Sequence, residues 1–401
     1  MKDFVQAIAW GLNRFIKVFG NLFSLIVRSR TSVKSKRVMC WAYNFKQYSC
    51  NPRYLSEYLL ENNPEFEIYW VFRKDIDISG IDKRIKCVRF RSIRYYILVN
   101  TAEFLITNSR TDPYRIYWKK RPEQKYLMLW HGGVALKRIE KDAGKKLSYS
   151  YRRKALLDSS ICDLMISGCR FQTYLLKNSF WYDGEILEKG IPRNDIFFKT
   201  SMHEEFRKKV FKHYGIAEDN KVILYAPTFR TDRSIEPYKI DWSETIKALE
   251  KVYHGSGITV LLRLHPNLIG KTDTTPLLND PRVMDATGYH DMQELLCISD
   301  MLITDYSSSM FDITMLKKPC LLYATDIEKY DRGYYFKFTE LPFPLARNQE
   351  ELEHNIKTFD IEKYRNDVEC FFDRNIGLCE DGNASKELAS WIKERSLIQH
   401  T

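Results

Sequence analysis

A hydroxyl-rich segment directly follows the apolar run over residues 301–303, which is typical of a buried strand. The segment is Thr304-Asp305-Tyr306-Ser307-Ser308-Ser309, and helix-forming residues begin at Met310. A loop between a parallel strand and a helix presents unpaired backbone N–H groups and the positive end of the helix dipole, which favour anions. Serine hydroxyls add donors for a phosphate oxygen. The segment therefore predicts a phosphate site, although a serine that only caps the helix would give the same pattern.

Four further apolar runs end in residues that can bind anions or move protons. In open parallel sheets, ligands bind just outside the carboxyl ends of the strands. Core packing does not explain five such ends that carry His, Arg, Ser or Thr, so the sequence predicts one polar site built from several loops. The four segments are Trp130-His131-Gly132-Gly133, Gly190-Ile191-Pro192-Arg193-Asn194-Asp195, Ala226-Pro227-Thr228-Phe229-Arg230 and Arg263-Leu264-His265-Pro266.

Strand and helix patterns alternate from residue 38 onward, which predicts an α/β fold with largely parallel sheets. Two series of similar length predict two Rossmann-like domains that face a cleft, over residues 37–200 and 201–401, the second including a terminal helix. The expected strands cover residues 38–42, 68–72, 104–108, 126–130, 164–167, 187–192, 222–226, 259–264, 301–304 and 320–323. The expected helices cover residues 52–60, 203–214, 241–254, 290–297 and 385–394.

Charge is distributed unevenly along the 401 residues. The formal net charge is +11, and residues 110–154 contain 14 Lys and Arg but 4 Asp and Glu. Because this basic segment brackets His131, it predicts an anionic ligand or an anionic membrane surface, with a solvated charged face as the plainer alternative. No nucleic-acid partner is expected.

The spacing of cysteines and histidines is not typical of disulfide or metal sites. The nine cysteines are scattered and include no C-x-x-C pair, as expected for free thiols in a reducing cytoplasm. The eight histidines show no metal-ligand spacing, and no H-E-x-x-H motif is present. We therefore expect neither a metal nor another bound cofactor.

Residues 1–36 predict an amphipathic helix that lies on a membrane and is followed by a basic collar. No uncharged stretch here is longer than the ten residues 18–27, which are too few to span a bilayer. A signal peptide and a helix packed on the protein's own surface are the alternatives. The polar stripe is Asp3, Gln6, Asn13, Lys17, Asn21, Ser24 and Arg28, the opposite face holds Phe4, Ile8, Phe15, Phe19, Leu22 and Ile26, and the collar is Arg28, Arg30, Lys34, Lys36 and Arg37.

The ordered set of strand-end motifs resembles the CDP-glycerol glycerophosphotransferase family of teichoic-acid and capsule synthesis. The likeness extends from about Arg37 to the end of the chain, and it includes Asn51-Pro52-Arg53-Tyr54 and Asp381-Gly382-Asn383-Ala384-Ser385. It implies the GT-B architecture and a transferase of substituted phosphate groups. It also implies transfer of glycerol phosphate from CDP-glycerol to a hydroxyl of a membrane lipid-linked acceptor, with release of CMP. Such an enzyme would be a peripheral protein at the cytoplasmic face of the cell membrane.

The resemblance also implies a set of site residues. His131 is expected to be the base, because the adjacent glycines let a ligand approach the backbone, and His265 to stabilise the departing CMP. Asp312 cannot favour a phosphate by charge, so we expect it to accept hydrogen bonds from a ribose or glycerol hydroxyl. The CDP-glycerol-binding positions implied are Trp130, His131, Gly132, Gly133, Val134, Arg193, Pro227, Thr228, Arg263, Leu264, His265, Ser307, Ser308 and Asp312.

Several alternatives stay open at this level. Lys137 lies six positions after His131, whereas family polymerases typically have five, and this spacing looks more like the primase branch. The sequence does not separate glycerol from ribitol as the donor's polyol, or teichoic acid from capsule as the product. A GT-B glycosyltransferase using a nucleotide sugar would share the fold and the basic cleft, with Asp326 as a candidate for sugar recognition. A peripheral membrane scaffold would bind no nucleotide.

Overall fold

Two parallel β-sheets, each packed against helices on both faces, form the framework of the protein. The computed structural model describes residues 18–265, 268, 272–330 and 333–397. Within these residues each sheet begins a new run of alternating strands and helices, and the expected pair of Rossmann-like domains facing a cleft is confirmed.

The first sheet has the order β3-β2-β1-β4-β5-β6-β7 in the described part of the chain, with parallel pairing throughout. Its strands are β1 (Lys34–Trp41), β2 (Glu67–Phe72), β3 (Lys86–Arg89), β4 (Ala102–Thr107), β5 (Lys125–Met128), β6 (Leu164–Ser167) and β7 (Glu185–Glu188). Its helices are α1 (residues 18–30), α2 (Cys50–Asn62), α3 (Ile93–Thr101), α4 (Tyr149–Ile161) and α5 (Arg170–Ser179). Chain order reverses direction between β1 and β4, and ligands bind beyond such a reversal.

The second sheet repeats this topology with the order β10-β9-β8-β11-β12-β13. Its strands are β8 (Lys221–Tyr225), β9 (Ile258–Leu262), β10 (Val283–Asp285), β11 (Met301–Thr304), β12 (Cys320–Tyr323) and β13 (Leu345–Ala346). The helices that follow the first domain are α6 (Thr200–Tyr214), α7 (Trp242–Val252), α8 (Met292–Ile298), α9 (Ser309–Thr314), α10 (Gln349–Lys357), α11 (Ile361–Phe371) and α12 (Ala384–Glu394). Here the reversal lies between β8 and β11.

Several strands are buried along their whole length, as expected for parallel sheets covered on both faces. All six residues of β4 are buried, and so are all residues of β9, β11 and β12. Much of the aromatic content also lies in the cores, including Trp41, Trp70 and Trp242. Many of the aromatic side chains thus contribute to the cores of the two domains.

The last helix, α12, packs against the first domain, although residues 201–401 were expected to form one unit with it. Its Leu388, Trp391 and Ile392 join the apolar core between α2 and the first sheet. The carboxylate of Asp195 accepts the N–H groups of Ala384 at 2.9 Å and of Ser385 at 2.8 Å, which caps the start of the helix. The carboxyl-terminal segment therefore ties the two domains together.

Helix α1 turns its polar residues Ser24 and Arg28 toward the protein and its apolar face outward. Ser24 Oγ donates to the carbonyl oxygen of Tyr117 at 2.5 Å, and Arg28 Nη1 donates to that of Lys119 at 2.7 Å. The opposite face is exposed, and it consists of Val18 (63% exposed), Phe19 (57%), Leu22 (57%), Leu25 (54%) and Ile26 (42%). The first 17 residues of the expected amphipathic helix lie outside the described residues.

Several strands end earlier than their sequence patterns indicate. β5 ends at Met128, β7 at Glu188 and β9 at Leu262, two to four residues before the expected ends. Beyond β5, Trp130 adopts a left-handed backbone with φ 50°, which is sterically costly for a residue with a side chain. The residues expected to do chemistry therefore lie in turns beyond the sheets and not in the strands themselves.

Candidate functional site

His131 lies in the turn after β5, and a hydrogen bond to its ring defines the tautomer of the imidazole. Its Nδ1 lies 2.9 Å from the backbone carbonyl oxygen of Asn108, the residue after β4. Because a carbonyl only accepts hydrogen bonds, Nδ1 must carry the proton and Nε2 is the unprotonated nitrogen. The side chain is accessible from the cleft, while the surrounding protein walls desolvate it. This desolvation, together with the charge of Arg193, lowers the pKa of His131 below its usual range, which favours the neutral ring at pH 7.

The glycines after His131 leave room on one side of the turn. A Cβ added to Gly132 would meet no protein atom within 4 Å, and one added to Gly133 would meet only Ile191 Cδ1 at 3.5 Å. Val134, in contrast, is buried in the core, so only its backbone can face a ligand. A ligand can therefore approach the backbone at the two glycines.

Arg193 and Asp312, which were expected to bind the ligand separately, contact each other across the two domains. Arg193 Nη2 donates to Asp312 Oδ2 at 2.7 Å, and Arg193 Nη1 donates to the carbonyl oxygen of His131 at 2.8 Å. Both side chains are less than 10% exposed. Burial raises the pKa of the Asp312 carboxyl, although the charge of Arg193 acts against this. Through Arg193, this ion pair joins the His131 turn of the first domain to α9 of the second.

Glu380 lies beside this ion pair, in the segment that leads to α12. Its Oε2 accepts the N–H of Ile191 at 3.1 Å, and its Oε1 accepts the side-chain amide of Asn194 at 2.9 Å. Burial raises the pKa of Glu380 to about 8, with the charges of Asp195 and Asp312 acting in the same direction.

The raised pKa of Glu380 predicts that stability falls with rising pH. The folded state holds the proton more tightly than the unfolded state, so the stabilisation is complete below pH 4.5 and is lost as the pH rises through about 8. We expect the urea midpoint of the wild type to fall between pH 5 and pH 9 more steeply than that of Glu380→Gln. Glu369→Gln, at an exposed position on α11, is the matched control. Equal pH slopes in all three proteins would contradict the prediction.

On the second domain, a buried arginine organises the loops after β8, β11 and β12. Arg230 pairs with Asp305 at 2.9 Å and with Asp326 at 2.7 Å. Asp305 Oδ1 in turn accepts the N–H of Thr228 at 2.8 Å. The Tyr306 hydroxyl donates to Asp326 at 2.9 Å. Thr228 is therefore fixed next to the serine loop, and the Asp326 carboxylate is occupied by protein groups.

The loop after β9 brings His265 to the surface of the second domain. Arg263 Nη1 donates to the carbonyl oxygens of Ala286 at 3.2 Å and Tyr289 at 2.6 Å, so this arginine holds the loop before α8. Leu264 is buried in the core, whereas His265 is exposed. Desolvation by the neighbouring protein groups, together with the nearby charge of Lys137, lowers the pKa of His265. Because Lys137 belongs to the first domain, His265 faces the cleft.

Of the two serines before α9, only Ser307 bonds the start of the helix with its hydroxyl oxygen. Ser308 occupies the N-cap position of α9 and its side chain makes no capping bond. Ser307 Oγ accepts the N–H of Ser309 at 3.3 Å and its hydroxyl at 2.9 Å. Both Ser307 and Ser308 are partly exposed. The interpretation of this loop as a helix cap therefore holds only for Ser307. Pro227, in the loop after β8, is buried.

Some residues at the site were not assigned a role from the sequence. Asn108 was expected only as the end of a strand, and Asn51 and Lys137 only as parts of motifs. Tyr43 gave no signal, yet its ring centroid lies 5.9 Å from that of His131 and its N–H donates to Asn108 Oδ1 at 2.9 Å. Tyr43, Asn44 and Phe45 all have left-handed φ angles, a cluster of strain typical of functional loops.

The described residues contain no disulfide and no cluster of potential metal ligands. Among the residues that the structure describes, no group of three or more His, Cys, Asp or Glu side chains is placed to share a metal ion. All nine cysteines carry free thiols.

Comparison with known protein families gives a match over most of the chain. The model of the family described as CDP-glycerol:poly(glycerophosphate) glycerophosphotransferase matches residues 22–394.

Two curated proteins illustrate the relationship. The chain is 34% identical to the teichoic acid poly(glycerol phosphate) polymerase of Bacillus subtilis over 94% of its own length and 51% of that protein. It is 32% identical to the teichoic acid glycerol-phosphate transferase of Staphylococcus aureus over 88% of its length and 91% of that protein. The chain thus spans about half the length of the Bacillus relative.

A solved structure shows the same architecture. The wall teichoic acid polymerase TagF superposes with a TM-score of 0.78 and 30% identity, covering 96% of this chain and 97% of the TagF chain.

Proposed function

Because this chain belongs to the CDP-glycerol:poly(glycerophosphate) glycerophosphotransferase family, we propose that it transfers glycerol phosphate from CDP-glycerol to a hydroxyl of a lipid-linked acceptor, releasing CMP, in the synthesis of teichoic acid or a related polymer. The observation that carries this proposal is His131. Its ring is accessible and neutral, its Nδ1 is held at 2.9 Å by Asn108, and its carbonyl is bonded to Arg193.

In the proposed step, the acceptor hydroxyl attacks the phosphorus that carries the glycerol, and its proton passes to Nε2 of His131. The bond between this phosphorus and the bridging oxygen of CMP breaks, and CMP leaves with the electron pair. Positioning and charge stabilisation dominate such transfers, and a base at the attacking hydroxyl contributes about 10²–10⁴-fold. Arg193 supplies positive charge beside the base, and His265 contacts the departing CMP from the second domain.

We assign the acceptor to the domain over residues 37–200 and the donor to the domain over residues 201–401, with the donor also reaching residues 130–134 and Arg193 across the cleft. All the CDP-glycerol-binding positions named above are kept in this proposal. Val134 and Leu264 would act through backbone atoms, since their side chains lie in the core. Asp312 would contact a ribose or glycerol hydroxyl while paired with Arg193, and Arg263 would act partly by holding the loop before α8.

Incubation of the protein with CDP-glycerol, CDP-ribitol or UDP-sugars in membranes that carry lipid-linked acceptors tests this function. We expect CMP from CDP-glycerol and a product heavier by glycerol phosphate units. One added unit would identify a primase, and many a polymerase. Release of UDP from a sugar donor would overturn the proposal. The Asp326 carboxylate, which could have recognised a sugar hydroxyl, is bonded to Arg230 at 2.7 Å and Tyr306 at 2.9 Å.

We further propose that the protein binds the cytoplasmic face of the cell membrane as a peripheral protein. Since polar residues of α1 face the protein, the exposed apolar face of the helix is available to an anionic lipid surface. Helix α3, which packs on α1 through Tyr96 and Asn100, adds the exposed Ile93 and Ile97. In the described part of the chain, no helix has the length and apolar character needed to cross a bilayer.

Replacing the exposed apolar residues of α1 should abolish membrane binding without unfolding the protein. We expect the variant Phe19→Gln, Leu22→Gln, Leu25→Gln and Ile26→Gln to stop sedimenting with anionic vesicles, because each buried apolar side chain contributes about 1.5–3 kcal/mol. Use of a soluble acceptor analogue should be retained. Leu378→Gln, an exposed leucine outside α1, is the matched control. Unchanged sedimentation of the fourfold variant would move the membrane contact to the basic segment.

A further inference from the structure

Asn51, the second residue of α2, is fully buried and uses its side chain away from its own helix. Its Nδ2 donates to the carbonyl oxygen of Leu129 at 2.9 Å and to that of Trp130 at 3.0 Å. Its Oδ1 accepts the N–H of Arg193 at 3.0 Å. Two carbonyls can only accept and an N–H can only donate, so the orientation of the amide follows from its partners. Both amide hydrogens and the amide oxygen are therefore engaged.

The turn that Asn51 holds is strained. Trp130 has a left-handed φ of 50°, a conformation that costs a residue with a side chain free energy and persists only where the surroundings impose it. The next residue is His131. The direction of the His131 ring depends on this turn, because Nδ1 must point toward the carbonyl oxygen of Asn108 for their hydrogen bond to form.

The bonds of Asn51 close a ring that contains both the base and the arginine. Asn51 binds the carbonyl of Trp130 and the N–H of Arg193, while Arg193 Nη1 binds the carbonyl of His131 at 2.8 Å. The three segments come from α2, the turn after β5 and the turn before α6, which are distant in sequence. A shift of any one segment would change the distance between the imidazole and the guanidinium.

We propose that Asn51 is a positioning residue that holds His131 and Arg193 in register, so that the base and the positive charge act on the same phosphoryl group. This inference rests on the proposed transfer function. Asn51 touches neither the donor nor the reacting atoms, and it acts through the backbone. A displacement of about 1 Å at a catalytic group can lower the rate about 10²-fold.

Asn51→Asp and Asn51→Ser test the proposal. The aspartate keeps an acceptor for the Arg193 N–H but loses both donors to the turn, and the serine loses most of the contacts without adding a charge. The matched control is Asn62→Asp, the same substitution at the exposed end of α2. Circular dichroism establishes that each variant is folded.

Three measurements are made on each protein: kcat for CMP release with lipid-linked acceptor, the CDP-glycerol Kd by calorimetry, and the NMR titration of the His131 ring, assigned with His131→Gln. For the Asn51 variants we expect kcat to fall by about 10–100-fold with the Kd changed little. Their His131 pKa should rise toward about 6.5, because a displaced ring is better solvated. Asn62→Asp should match the wild type.

A His131 titration and a kcat that stay at wild-type values in a folded Asn51 variant would overturn the proposal. A loss confined to donor affinity would also overturn it, since it would assign Asn51 to donor binding. The wild-type ring should be protonated at Nδ1, and an Nε2–H tautomer would contradict the geometry even if neither variant folds. If the wild type releases no CMP, the proposed function fails, while the NMR titration still decides whether Asn51 positions His131.

Discussion

Replacing His131 with alanine should lower the rate of CMP release by about 10²–10⁴-fold, the usual contribution of a general base. The affinity for CDP-glycerol should change only a few-fold, because the loss falls on the transition state and not on the bound donor. Steady-state kinetics with lipid-linked acceptor give the rate, and calorimetry gives the affinity. His354→Ala, at an exposed position on α10, is the control.

The pH dependence of the wild type gives a second measure of the same residue. A base must be unprotonated, so kcat should fall as the pH drops through the pKa of His131, which desolvation places below its usual range. The acid limb should therefore lie below about pH 6.5. A near wild-type rate for His131→Ala would show that another group removes the proton.

Breaking the Arg193–Asp312 ion pair should cost both stability and activity. Removing one partner leaves the other charge buried and unpaired, which typically destabilises a protein by about 3–5 kcal/mol. Arg193→Ala should also lower kcat by about 10²–10³-fold, as expected for loss of a preorganised group that stabilises developing charge. Urea unfolding and CMP release measure the two effects.

The double variant Arg193→Ala with Asp312→Ala separates pairing from other roles. Because it leaves no unpaired charge, it should be less destabilised than the sum of the two single variants. Its activity should stay low, since the arginine is still absent. Arg193→Lys should recover part of the stability, because lysine keeps the charge but not the two-pronged geometry that reaches both Asp312 and the His131 carbonyl. Strictly additive stability changes would mean that the two side chains do not interact in solution.

The local sequence patterns were sufficient to predict the framework of alternating strands and helices. Apolar runs followed by turn and helix signals gave most of the central strands, because burial on both faces requires continuous apolar segments. Shorter elements such as β3 and β10, and helices such as α3 and α11, were not predicted, since their patterns are brief or mixed. The ends of β5, β7 and β9 were placed too late because the backbone turns before the apolar run is over.

The sequence by itself determined the alternating fold, the histidine, arginine and serine segments at strand ends, and the amphipathic pattern of the first helix. These features depend on residue order within a few positions. Only the tertiary structure decided how the segments meet. Arg193 and Asp312 are 119 positions apart, and their contact depends on how the two sheets are placed.

Contacts between elements that are distant in sequence also decided the roles of residues to which the sequence assigned none. Asn51 and Asn108 fix the His131 turn from two other elements. Asn108 does so through its backbone carbonyl, a group that every residue type carries. Helix α12 joins the first domain because the chain crosses back after α11. The direction of α1 was also decided by packing, since hydrogen bonds to Tyr117 and Lys119 turn two of its polar residues inward and leave its apolar face at the surface.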